Sequence, residues 1–299
     1  MPSGWIILDK PLGLGSTQAV AAVKRNLREA GFGKKVRVGH GGTLDPLATG
    51  VLPIAVGEAT KLCGRMLDAS KEYAFTVRFG SETDSLDLEG AVIAESTVRP
   101  GRADVDAVLA RFTGPIEQVP PAYSALKVDG ERAYDLARAG REVVLATRAV
   151  TVHALRLESC DGESATLVAH VSKGTYIRSL ARDIARALGT VGHVTMLRRL
   201  RAGPFAEAQA ISLDKLNEIG KGAPLERYLL PLEAGLVDIP VLDLAPEQAR
   251  AVRQGRVLTG MAFSDGHYWA RSGNDPVALV ALSSGECRVE RGFNLDVAE

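Results

Sequence analysis

Cysteine is scarce. Cys63, Cys160 and Cys287 are odd in number, far apart, and lack any C-x-x-C spacing. That argues against a disulfide framework or a cysteine zinc site and fits a reducing cytosol. The five histidines, His40, His153, His170, His193 and His267, form no metal-ligand cluster. No apolar run approaches the ~18 residues of a membrane helix. Asp9 and Lys10 interrupt the first apolar stretch, so neither a signal peptide nor a membrane span is expected. A G-x-x-x-x-G-K-[ST] loop and a G-x-G-x-x-G fingerprint are both missing. So is any evident Ser-His-Asp set or catalytic Cys–His pair. Net charge is missing too: 36 Lys and Arg balance 36 Asp and Glu, which gives no global pull toward nucleic acid or membrane. These absences describe a cytoplasmic globular protein with no implied metal or nucleotide cofactor.

At 299 residues two domains are expected, and 46% hydrophobic content is ample for a packed core. Charge is unevenly spread. Between His170 and Arg201 seven basic residues (Lys173, Arg178, Arg182, Arg186, Arg198, Arg199, Arg201) face one carboxylate, Asp183. That stretch reads either as a basic binding face or as a solvated helix surface. Between Asp238 and Glu299 six arginines face nine carboxylates.

The pattern alternates short strands with helices. Trp5 to Leu8 reads as a strand. Thr17 to Ala30 reads as a helix with Ser16 or Thr17 as N-cap and Gly31 past its end. Val51 to Val56 reads as extended. Lys71 to Gly80 is a strand with Tyr73, Phe75 and Val77 on one face. Ser81 to Gly90 reads as an acidic turn-rich loop, Val105 to Phe112 as a helix, and Pro115 to Gly130 as irregular. Glu131 to Arg138 is a helix closed by Gly140. Val150–Leu157 and Ser164–Val171 form a strand pair, and Tyr176–Leu188 and Leu213–Ile219 are helices. From about Gly235 the texture shifts to short strands and turns, with one short helix at Ala245 to Gln254, as in a small separate β-rich domain.

One carboxylate stands out. Asp45 sits in Gly39-His40-Gly41-Gly42-Thr43-Leu44-Asp45-Pro46-Leu47-Ala48-Thr49-Gly50, crowded by four glycines and a proline. Glycine permits close backbone approach, and proline restrains itself and the residue before it. Alone this reads as an Asp-Pro turn, or as a positioned nucleophile, base or metal ligand. A second run, Lys173-Gly174-Thr175-Tyr176-Ile177-Arg178-Ser179-Leu180, joins a strand to a helix. An arginine in a first helical turn opposes the dipole, so Arg178 calls for an anionic partner, a phosphate or a carboxylate such as Asp45. An arginine so paired favours the ionised carboxylate. Tyr176 is equally readable as a core aromatic, and Tyr73 as a cross-strand aromatic. Pro120-Pro121-Ala122-Tyr123-Ser124-Ala125-Leu126-Lys127-Val128-Asp129-Gly130 interleaves aromatic and basic residues, as RNA contact would require, or is a connector.

Five ordered blocks spanning about 200 residues resemble the TruB-type tRNA pseudouridine synthases. They are Leu8-Asp9-Lys10-Pro11, the Asp45 run continued through Lys61, Pro120 to Ala125, Ser172 to Arg178, and Leu197-Arg198-Arg199 with Gly203-Pro204-Phe205. One departure is Gly15-Ser16-Thr17, where the family more often has Thr-Ser, and it touches the start of the first helix. The resemblance implies isomerisation of the T-loop uridine at tRNA position 55 to pseudouridine, without cofactor or metal. It implies Asp45 as the catalytic carboxylate, Arg178 as its partner and Tyr73 as the tyrosine that stacks on the base and moves a proton. Tyr176 lines the pocket, and Asp87 contacts tRNA. His40 fills the space left by the flipped base, Lys61 is a further active-site lysine, and Lys173 joins the substrate-binding set. The implied fold is α+β: a mixed, largely antiparallel sheet flanked by helices over residues 1–236. A PUA-type RNA-binding domain would follow over 237–299. The implied partner is the tRNA T-stem-loop, bound by a monomer without guide RNA. A tRNA-folding chaperone or RNA-binding module and a guide-RNA-dependent synthase are the competing readings.

Overall fold

The computed structural model describes residues 1–295 apart from Ala125, Asp129, Glu142 and Val144, so two positions of the Pro120–Gly130 segment lie outside the described residues. In chain order the strands are β1 Gly4–Lys10, β2 Val38–His40, β3 Ala48–Val56, β4 Lys71–Phe79, β5 Ser81–Thr83, β6 Val92–Glu95, β7 Gly114–Gln118, β8 Lys127–Val128, β9 Glu131–Arg132, β10 Arg148–Cys160, β11 Ser164–Val171, β12 Gly192–Ala202, β13 Phe205–Ala206, β14 Val241–Asp243, β15 Gly266–Ser272, β16 Asp275–Ser283 and β17 Glu286–Gly292. The helices are α1 Ser16–Glu29, α2 Cys63–Asp68, α3 Arg102–Leu109, α4 Ala133–Arg138, α5 Ile177–Ala187, α6 Leu213–Gly220 and α7 Pro246–Arg253.

The main sheet runs β1-β3-β12-β4-β11-β10-β7, with β2 on β3 and β13 on β12. Of its ladders only β12–β3 is parallel among the described residues. The mixed, largely antiparallel sheet of the α+β expectation is therefore present. Strand alternation sorts side chains to two faces. On one face Ile6, Leu8, Leu52 and Ile54 pack beneath α1 and α6. On the same face Phe75, Val77 and Phe79 pack beneath α3 and α5. Tyr73 and Leu197 touch both cores and mark the seam between them. On the opposite face Trp5, Ile7, Val51 and Ala55 meet Phe205, Trp269 and Phe293. The last two bring in a second sheet, β14-β15-β16-β17, which has its own core of Leu242, Val252, Val280 and neighbours.

Several expectations need correction. Ser16 does not cap α1. It is the first helical residue, Gly15 precedes it, and its hydroxyl turns instead to Leu44. Ser81 to Gly90 is the expected turn-rich loop only from Asp84 on. It begins with β5, paired with β6, and buries Glu82, Thr83, Ser85 and Asp87. Pro115 lies inside a strand, β7, which is tolerated because β7 is an edge and pairs only with β10 among the described residues. Glu131 and Arg132 form a short ladder with Lys127 and Val128 before α4. The largest omission is β12, a central strand whose two register shifts disrupt the simple alternation of its side chains.

Gly50 shows how tightly β3 and β12 approach. Its φ is +98°, and a Cβ there would stand 2.2 Å from the Arg199 carbonyl oxygen. Gly50→Ala is expected to cost about 2 kcal/mol or more, from strain and displaced backbone together. Urea unfolding checks this, and an unchanged midpoint would refute it.

Candidate active site

Asp45 lies in the turn between β2 and β3, where the chain has little side-chain bulk of its own. Three side chains from elsewhere bind the carbonyls of this turn. Arg199, 1% exposed, donates from Nη2 to Gly42 O (3.1 Å), from Nη1 to Thr43 O (3.3 Å) and from Nε to Val51 O (2.7 Å). Ser16 Oγ donates to Leu44 O (2.9 Å) and accepts from Leu44 N (2.8 Å). Lys10, fully buried, donates to Leu14 O (2.6 Å), Pro11 O (3.0 Å) and Pro46 O (3.4 Å). Burial lowers the Lys10 pKa from 10.5 to about 8, opposed by Asp45 and assisted by Arg199. Lys71, nearby, is lowered to about 8 chiefly by burial, with Arg199 adding. Its ammonium donates to Leu67 O and Ala69 O, both at 2.6 Å.

Arg178 enters from the first turn of α5. Its side chain is 8% exposed, against 47% for Asp45. Nη2 donates to Asp45 Oδ2 (3.0 Å) and to Tyr123 O (2.9 Å). Nη1 donates to Ser85 O (2.9 Å) and lies 3.2 Å from Asp87 Oδ2. The second carboxyl oxygen of Asp87 accepts from Ser85 Oγ (2.5 Å) and Glu89 N (3.0 Å). Leu86, between those two acceptors, has φ +63°, a conformation uncommon outside glycine, asparagine and aspartate. The start of α5 is itself fixed, because Gln118 spans Tyr176 with Tyr176 N→Oε1 at 2.8 Å and Nε2→Tyr176 O at 3.1 Å.

Two cavities share Asp45, Ser124 and Arg178. One, of about 320 Å³, includes Tyr73, Tyr176, Lys71 and Leu197 in its lining. The other, of about 240 Å³, includes Asp87, Glu89 and Tyr134. The structure thus gathers Asp45, Arg178, Tyr73, Tyr176 and Asp87. It does not gather the rest. His40 is half-buried at the end of β2, outside the linings of both cavities, where its Nδ1 accepts from Gly42 N (3.4 Å); burial, then Arg199, lowers its pKa. Lys61 stands apart, donating to Glu58 Oε2 (2.6 Å) and Gly292 O (2.8 Å). Lys173 is exposed and paired with Asp68 (2.9 Å).

The basic stretch read between His170 and Arg201 is not one face. Lys173, Arg178, Arg182, Arg186 and Arg198 are in ion pairs, and Arg199 is buried against carbonyls. The supporting residues Lys10, Ser85, Ser124 and Arg199 received no individual role from the sequence, and Ser16 only that of a helix cap. Ser124 Oγ is buried, lines both cavities and has no hydrogen-bond partner among the described residues. Only its place in the Pro120–Ala125 block of the family resemblance signals it. No group of three potential metal ligands occurs among the described residues. The arrangement suits chemistry by a half-exposed carboxylate, oriented by a buried cation beside aromatic walls.

The N-terminal domain of TruB family pseudouridylate synthases matches residues 28–177, and the tRNA pseudouridylate synthase B C-terminal domain matches 178–237. The chain is 76% identical to tRNA pseudouridine synthase B of Novosphingobium aromaticivorans, with all of both chains covered. The chain belongs to the TruB family. The same name is carried by a Zymomonas mobilis protein, 57% identical over 97% of this chain and 96% of that one. Among solved structures, a chain of a Cbf5-Nop10-Gar1 complex superposes with a TM-score of 0.75 at 26% identity, covering 97% of this chain and 85% of its own. A match of similar quality comes from an H/ACA RNP bound to a substrate RNA containing 2'-deoxyuridine, with TM-score 0.75, 25% identity, and 98% and 85% covered. The Asp45–Arg178 pair joins the two matched segments of this family, since Arg178 is the first residue of the second.

The lysine titrations generate a pH prediction with opposite signs for stability and rate. Lys10 and Lys71 lose protons near 8 when folded and at 10.5 otherwise. Across that window the folded chain binds fewer protons than the unfolded one, so these groups stabilise the fold as pH rises. Turnover is expected to fall past about pH 8, because neutral Lys10 has two N–H donors for its carbonyls instead of three. A pH–rate profile run beside thermal unfolding checks this. A rate flat from about pH 7 to about 9.5 would remove Lys10 from this role.

Proposed function

We propose that the chain isomerises the T-loop uridine at position 55 of tRNA to pseudouridine, with Asp45 as its essential carboxylate. The observation that carries this reading is the half-exposed Asp45 carboxylate, held at 3.0 Å by a buried Arg178 at a cavity walled by Tyr73 and Tyr176. The reaction breaks the bond from N1 of uracil to the ribose, turns the base and closes a bond from C5. The C5 proton leaves and N1 gains one, so the atoms balance without a cofactor.

Asp45 meets the developing charge at the ring or the sugar carbon, either covalently or electrostatically. Tyr73 stacks on the base and handles the proton. Tyr176 closes the wall, and together they exclude water so that the loosened base rejoins. Asp87 holds Arg178 from behind and faces the RNA. Flipping the uridine from a folded loop costs a few kcal/mol, and His40 occupies the space it leaves. Lys173 is free to exchange its exposed, weak pairing with Asp68 for a phosphate. Lys61, the further active-site lysine of this reading, reaches the substrate by exchanging its bonds to Glu58 and the Gly292 carbonyl. In this reading residues 1–236 form the catalytic domain and 237–299 a PUA-type RNA-binding domain. The protein works in the cytoplasm as a monomer without guide RNA.

The test is Asp45→Asn assayed by tritium release from C5-labelled uridine in bare tRNA transcript. The parent chain is expected to turn over without guide RNA. The variant is expected to lose at least about 1,000-fold in rate while binding tRNA within a few-fold. Substantial turnover by the variant would sink the assignment.

A further inference from the structure

We infer that the far end of α1 and the segment leading into β2 form a second RNA-docking surface. It would take the phosphate backbone of the tRNA arm that packs against the T-loop in folded tRNA. The inference rests on the tRNA reading above.

Lys24, Arg25, Arg28, Lys34, Lys35 and Arg37 fall within fourteen residues that hold one carboxylate, Glu29. All six are exposed. None is in an ion pair among the described residues, and Arg25 alone has a side-chain hydrogen bond, to Asn217 Oδ1 at 3.3 Å. The His170–Arg201 stretch differs in how many of its cations are already engaged. There five of seven cations already hold carboxylates, and a sixth is buried on carbonyls. On a chain of zero net charge, these six form a dense cluster of cations without carboxylate partners among the described residues, with a smaller exposed trio, Arg250, Arg253 and Arg256, on and just after α7.

Position supports the same partner. Four of the six, Lys24, Arg25, Arg28 and Lys34, border a wide groove of about 850 Å³ with Leu27, Val36 and Val38 in its floor. It lies on the face of the sheet that carries the Asp45 seam, because α1 packs on Ile6, Leu8, Leu52 and Ile54. Ser16, at the start of α1, touches the Asp45 turn through Leu44. At 1.5 Å per residue, Lys24 lies about 12 Å and Arg28 about 18 Å further along the helix. An RNA with its uridine in the pocket therefore passes the start of α1 first. Phosphates that reach the far end belong to the arm lying alongside the T-loop.

The experiment compares two RNAs, a full-length tRNA transcript and the isolated T-stem-loop of the same tRNA. The variant combines Lys24→Gln, Arg28→Gln, Lys34→Gln and Lys35→Gln, all at exposed sites, and a second variant replaces the three lysines by arginine. For the glutamine variant, Kd for full-length tRNA is expected to rise more than fivefold at about 0.15 M salt. The slope of log affinity against log salt should become shallower by about one or more. Its Kd for the stem-loop should stay within about twofold. The arginine variant should keep both affinities. A full-length Kd that rises less than fivefold, or an equal loss on both RNAs, would overturn the inference. Pseudouridine formation in the stem-loop by the parent chain is read in parallel. Its absence would count against the catalytic reading and leave the binding comparison standing.

Discussion

The Asp45 turn cannot hold its own shape, and the site depends on what holds it instead. Gly41 and Gly42 contribute no bulk, and Gly42 sits at φ +133°. The turn's carbonyls are directed at Arg199, Ser16 and Lys10, side chains from three separate segments. Two of these are cations with almost no solvent contact. A buried cation costs free energy unless its donors are satisfied, so these carbonyls are required by the cations as much as the reverse. Arg178 repeats the device from the other side, with backbone acceptors at Ser85 and Tyr123 and carboxylates at Asp45 and Asp87.

This explains why the site sits in a seam. β3 and β12 carry the Asp45 turn and Arg199, β4 carries Tyr73, and α5 carries Arg178. Tyr73 and Leu197 belong to both cores, so the α1 half and the α5 half are packed on one continuous sheet. Docking the halves places the half-exposed carboxylate against the buried guanidinium. The C-terminal sheet lies across β1 and β3 on the opposite face, through Trp5, Trp269 and Phe293, and leaves the seam open.

Much of this was legible in the chain. The glycine-rich turn announced a positioned carboxylate, and an arginine at a helix start announced an anionic partner; the two are 3.0 Å apart. The strand carrying Tyr73 was readable because its alternation is regular. What stayed hidden had a physical reason in each case. Arg198 and Arg199 look like surface charge in sequence, since nothing local reveals that Arg199 donates to carbonyls about 150 positions earlier. Ser16 looks like a helix cap because the cap preference is local, while its actual partner is Leu44 across the fold. Lys61 ends the Asp45 block of the family resemblance, yet it bonds Glu58 and the last strand, partners that the sequence does not show.

The central claim is that the turn is set by donors rather than by its own residues, and Arg199→Lys tests it most directly. Lysine keeps the charge and loses the planar fork that reaches three carbonyls. Single-turnover rates and RNA affinity should be measured together on the T-stem-loop. The account predicts at least a tenfold fall in the rate of the chemical step with Kd within about threefold, since Arg199 has almost no solvent-exposed surface to offer the RNA. A rate within threefold of the parent chain would contradict it, and would mean that Asp45 finds its place without these buried cations.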